Sequence, residues 1–157
     1  MNKPDMNKRH LLAILIGGLV AGLLDITFAI SFAAYNGTPP IKLLQVVASG
    51  LFGKDAFAGG AAMAAWGFAL HMGMSLLWAC VFLAAARVRP SITRRPLIAG
   101  IVFGIIVFFV MRLVVLPLSA FPFPVKFNAV AWGLDLLSHM FLFGWPIALA
   151  VRKAQSK

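Results

Sequence analysis

The chain has 157 residues, 62% of them hydrophobic and only 11% charged, with a formal net charge of +10. A soluble domain of this length is roughly half apolar and about a quarter charged, so the composition excludes an ordinary soluble domain and points to a membrane. The single cysteine, Cys80, excludes an internal disulfide and a thiol-rich metal site; in mid-span it is expected to pack as a small hydrophobe.

The first apolar run, Leu11–Ala34, follows Lys3, Lys8 and Arg9. A signal peptide also has a basic start, but its apolar core is about 7–15 residues, and this run is longer and holds Asp25, so it reads as a retained helix. Gly18, Ala21, Gly22 and Ala29 share the Asp25 face, and Gly18-x-x-x-Gly22 permits close approach of a neighbouring helix. After Pro39-Pro40, the segment Ile41–Phe52 is too short to cross, which leaves an interfacial or a re-entrant helix. Lys42, Gln45 and Ser49 give it a polar side, and a lid at the outer headgroups is the favoured reading.

The second run, Ala61–Ala86, carries His71 and Ser75, and the loop after it holds Arg87, Arg89, Arg94 and Arg95. The third, Leu97–Leu118, carries Gly100-x-x-x-Gly104 and Arg112. Phe121-Pro122-Phe123-Pro124 is expected to form a stiff interfacial turn, with Tyr35 and Trp132 as aromatic anchors. The fourth, Ala129–Val151, carries Asp135, Ser138 and His139, and Pro146 is expected to bend it just beyond His139 and free a carbonyl. Each run is near or above the ~20 residues needed to span. The predicted fold is therefore all-α, a four-helix transmembrane bundle in one domain, 1–157, with a short helix between spans one and two.

Loop charge sets the orientation. Lys3, Lys8, Arg9, the four loop arginines, Arg152, Lys153 and Lys157 fall on one side, against Lys42, Lys54 and Lys126 on the other. By the positive-inside rule both termini are expected in the cytoplasm. The basic residues cluster at span ends and form no stripe or recognition helix, so they serve topology and anionic lipid; nucleic acid is not an expected partner.

Asp25, His71, Arg112, Asp135 and His139 are the ionisable side chains inside the spans, and each span has at least one. Such a group costs about 2.5–3.5 kcal/mol on insertion scales, so it faces a partner or water and is a functional candidate by default. At a rise of 1.5 Å per residue, Asp25 and His71 fall about 4 Å outward of their span midpoints, His139 about 1–2 Å, and Arg112 and Asp135 about 7 Å. Hence two groupings are expected: an Arg112–Asp135 ion pair, and a deeper Asp25–His71–His139 set. Asp135 and His139 also share a helical face one turn apart. The two acids and one arginine leave one negative charge, which a protonated histidine or a bound cation would neutralise.

The simplest alternative is structural, with the ion pair fixing helix register and the histidines bonding neighbouring helices near Ser75 and Ser138. Asp25, His71, Asp135 and His139 have ligand chemistry for a divalent metal, but no short spacing supports one. A bis-histidine haem is disfavoured by the adjacent acids. No nucleophile elbow or phosphate loop occurs, so no enzyme and no cofactor is expected.

The Gly18–Asp25 run (Gly-x-x-Ala-Gly-x-x-Asp), Gln45–Phe52 with Gly59-Gly60, His71-x-x-x-Ser75, the Leu116-Pro117-Leu118 exit and the His139 helix together resemble the small YagU-like bacterial inner-membrane proteins. The resemblance covers most of the chain and implies a bacterial inner membrane, but brings no established activity. The function expected from the residues is proton- or ion-linked transport, or a pH response, with the bilayer and a second copy of the chain as partners. The rival is a non-catalytic structural or assembly subunit.

Overall fold

The computed structural model describes residues 3–156, with side chains from Met6 onward; Lys157 and the Lys3 side chain, both counted in the basic flank, lie outside the described residues. Four helices are long and apolar enough to cross a membrane. They are α1 (Lys3–Tyr35), α3 (Gly60–Val88), α4 (Pro96–Leu118) and α5 (Ala129–Gln155), with α2 (Pro40–Phe52) between the first two. Among the described residues there is no strand. The architecture is the four-helix, all-α bundle that the hydropathy pattern predicts. The first helix begins well before Leu11, so the basic flank is itself helical.

Small residues set the packing. A Cβ on Gly18 would come within 2.9 Å of the Leu76 side chain, and one on Gly22 within 3.0 Å of Met72 and Ser75, so the α1 stripe lies against α3. The α4–α5 crossing is tighter still. There Gly104 faces the His139 carbonyl, Gly144 faces the Gly100 carbonyl, and a Cβ on Gly100 would meet the Trp145 backbone at 2.5 Å. α1 packs between α3 and α5, and α5 packs in turn on α4. The core between them is Ala21, Ala79, Phe82, Phe103, Val107, Phe143 and Ile147. Leucine, isoleucine and valine side chains such as Leu15, Leu23, Leu77, Val102 and Ile106 face outward, so the bundle is apolar outside as well as inside. Cys80, expected to pack as a small hydrophobe, is a free thiol exposed on the surface of α3.

α2 is one continuous helix laid against the first turns of α3. The Leu44 carbonyl meets Gly67, Gln45 Nε2 donates to the Gly60 carbonyl at 3.1 Å, and Ala120 N–H donates to the Gly50 carbonyl at 2.9 Å. These ties hold it across the bundle end opposite the termini. Of the polar side expected on this helix, Gln45 and Ser49 are buried, Ser49 donating to its own Val46 carbonyl at 2.7 Å, and Lys42 is exposed.

Two of the long helices change register. Met111–Val115 in α4 and His139–Gly144 in α5 are π-helical, closed by Leu116 N–H to Met111 O and Trp145 N–H to Met140 O. In each case a proline follows two residues later, Pro117 and Pro146. A proline has no N–H for the carbonyl four residues back, here Leu113 and Leu142, so the α-helical ladder is interrupted at those two points. The expected disturbance at Pro146 thus takes the form of a one-residue bulge that begins at His139.

Candidate functional site

Asp25, on the small-residue face of α1, is 6% exposed. Its Oδ1 accepts a hydrogen bond from Ser138 Oγ at 2.7 Å and lies 3.7 Å from His139 Nδ1, both on α5. Its Oδ2 lies 3.9 Å from His71 Nε2 on α3. One carboxylate on α1 therefore meets side chains from two other helices, α3 and α5. The Ser75 hydroxyl, one turn beyond His71, donates to the Gly18 carbonyl at 2.6 Å.

The two imidazoles are oriented by backbone. His71 Nε2 is 3.0 Å from the Gly22 carbonyl, and His139 Nδ1 is 2.9 Å from the Asp135 carbonyl. A carbonyl oxygen can only accept, so each of these nitrogens carries the proton and donates. His139 Nδ1 also approaches Asp135 Oδ1 at 3.2 Å. The ring lies against Phe108 and Phe143, with centroids 5.6 and 5.8 Å away.

Asp135 links this group to Arg112, which donates from Nε at 3.1 Å and from Nη2 to the same carboxylate oxygen. The guanidinium lies over two aromatic rings that meet edge to face, 5.4 Å from the Phe108 centroid and 5.1 Å from that of Trp132. Trp132, expected as an interfacial anchor, is thus part of the wall around the arginine. Tyr35 is exposed at the end of α1.

All five intramembrane ionisable residues meet in one connected cluster. Ser138 belongs to it, but its partner is Asp25 rather than a histidine. Ser75 bonds the neighbouring helix backbone beside the cluster, and Gln45 lies apart, in the α2–α3 contact. His10 was not singled out by its sequence position, because it stands among basic residues at the edge of the first span; it is buried at the opposite end of the bundle.

Oxygens of Asp25 and Asp135 and a nitrogen of His139 lie within 4.8 Å of one another, close enough to face one cation. The nitrogen that faces the acids is Nδ1, however, and its proton is committed to the Asp135 carbonyl. A metal needs that lone pair, so the present arrangement does not fit a metal held through His139. Nor does it fit a bis-histidine haem, because the Asp25 carboxylate stands beside both inward nitrogens.

The fold and site define a helical membrane-type bundle with a buried, three-helix acid–histidine cluster and an adjoining arginine–carboxylate pair. No protein-family model matches the chain, and neither does a curated protein or a solved structure.

Proposed function

We infer that this protein couples proton or cation occupancy of the Asp25 cluster to transport, or to a pH-dependent change of state, in a membrane. The observation that carries the reading is the surroundings of Asp25: a buried carboxylate with one hydroxyl donor and two imidazole N–H groups within 4 Å. With neutral histidines the cluster holds two carboxylates against one guanidinium. The remaining negative charge calls for a proton or a cation in a setting where an uncompensated charge is expensive. Histidine and a buried carboxylate are the groups that exchange protons near neutrality.

In this reading the chain sits in a bacterial inner membrane with both termini in the cytoplasm, in keeping with its basic flanks and its resemblance to YagU-like proteins. Four helices enclose little volume, so a transport role would use a homo-oligomer. The experiment is proton flux into vesicles of purified protein carrying an internal pH-sensitive dye. Asp25→Asn, which preserves the shape and can still accept from Ser138, is expected to lower flux to the protein-free background while leaving the helical content intact. His71→Ala is expected to do the same. Unchanged flux in both folded variants overturns the reading.

A second reading has its own support. Ser138–Asp25 and Arg112–Asp135 each join two helices, so the polar groups could serve only to lock the bundle. It predicts that Asp25→Asn lowers stability and that wild-type vesicles carry no flux above background.

A further inference from the structure

At the end of the bundle that holds both chain ends, Met6 and His10 on α1, Arg87 on α3, Thr93 in the 3₁₀ turn Pro90–Arg94, and Ala154 and Gln155 on α5 line an open cavity of about 450 Å³. Its floor is rigid. Thr93 Oγ1 donates to Gln155 Oε1 at 2.8 Å, and Gln155 Nε2 donates to the Ala86 carbonyl at 3.2 Å, so the last turn of α5 is tied to both α3 and the turn.

His10 is 8% exposed, yet its Nδ1 is buried with no hydrogen-bond partner among the described residues. An orphaned buried polar atom calls for an occupant. Arg87 and Arg9 both act on the ring electrostatically, and the described lining contains no carboxylate. Positive groups thus converge from two helices on a cavity whose described lining offers donors and no carboxylate. An oxyanion supplies what His10 and Arg87 lack: a phosphate has several acceptor oxygens, enough for the guanidinium and the imidazole N–H together.

We propose that this cavity binds a phosphate group, received from the His10 imidazole and the Arg87 guanidinium and seated over the Thr93–Gln155 floor. The cavity lies level with Lys8, Arg89, Arg94 and Arg152, the belt that would meet an anionic headgroup layer, so a phospholipid headgroup is the natural carrier. Free phosphate presents the same chemistry. The site is separate from the Asp25 cluster and does not depend on the function assigned there.

The test is native mass spectrometry of the full chain released from vesicles of equal phosphatidylglycerol and phosphatidylcholine. Wild type is expected to retain phosphatidylglycerol preferentially. His10→Phe and Arg87→Gln are each expected to lower that retention about tenfold, the loss of one charge-assisted hydrogen bond. Arg152→Gln, which removes the same charge outside the cavity, should leave it unchanged. Arg87 and Arg152 are both exposed, so their comparison decides the matter even where His10→Phe fails to fold. In a second arm, millimolar inorganic phosphate is added: displacement of the lipid shows that the phosphate group alone is recognised, and retention shows that the lipid is the ligand. Equal retention by wild type and all three variants, with no effect of phosphate, overturns the proposal.

Discussion

Asp135 holds two relationships at once, a double hydrogen bond to Arg112 on α4 and a contact with His139 one turn along its own helix. The side chains of the ion pair are only 25% and 27% exposed, so neither charge is well solvated. Removing one partner of such a pair leaves the other uncompensated and costs about 3–5 kcal/mol, whereas removing both is far milder. Arg112→Ala is therefore expected to destabilise the protein by about 3 kcal/mol in thermal unfolding from detergent, with Arg112→Ala/Asp135→Asn recovering most of the loss. A double variant no better than the single one would show that Arg112 acts through its packing on Phe108 and Trp132. The pairing itself was legible in the sequence, because opposite charges at matching depth on different helices have few other partners. Ser138 was less so: its depth beside His139 fitted either residue, and only the rotation of α5 about its axis aims the hydroxyl at Asp25. His10 was illegible for a different reason, since burial at a span boundary depends on how α1, α3 and α5 converge there.

The helices come close because glycine allows it, and the glycines are not equivalent. Gly104 lies against the His139 backbone carbonyl, whereas Gly73, exposed on α3, has nothing within 4 Å of where a Cβ would stand. Gly104→Ala must push α4 away from α5 at the point where the π turn begins, and overpacking of this kind costs about 1–3 kcal/mol. Gly73→Ala meets no neighbour and removes a residue that disfavours helix by about 1 kcal/mol, so it is expected to be neutral or stabilising. Unfolding midpoints of the two variants against wild type check the contrast, which a shared glycine-to-alanine effect would erase. Gly100-x-x-x-Gly104 could be read as a contact motif, but its partner could not. The π turns were also hidden: Pro117 and Pro146 mark where an α-helical bond must fail, but not that an extra residue is accommodated upstream. Those bulges matter for the cluster because they begin at Met111, next to Arg112, and at His139 itself. Each changes the rotation of the helix on one side relative to the other.

Across the molecule, charge and hydropathy divide along the bundle axis. The end with both chain termini carries Lys8, Arg9, the four loop arginines, Arg152 and Lys153, and there Arg9 Nη2 donates to the Ser156 carbonyl at 2.9 Å, which holds the ends of α1 and α5 together. The other end carries Lys42 on α2 together with Lys54 and Lys126, and there Lys42 Nζ lies 4.3 Å from the Phe57 ring centre and Phe57 packs on Phe123. The span count and this asymmetry could be read from the order of residues alone, because length and apolarity determine a span without reference to its neighbours. The orientation proposed from the same asymmetry can be tested directly. In a Cys80→Ala background, Asn36→Cys places a single thiol in the turn after α1, and Ser91→Cys places one in the arginine loop; both native side chains are exposed. An impermeant maleimide applied to intact cells is expected to label the first and to reach the second only after the membrane is opened. The reverse pattern would put the basic end outside. It would also move the Asp25 cluster, placed toward the α2 end by its depth in the helices, from the outward to the inward half of the membrane, so that any coupled proton would enter from the cytoplasm.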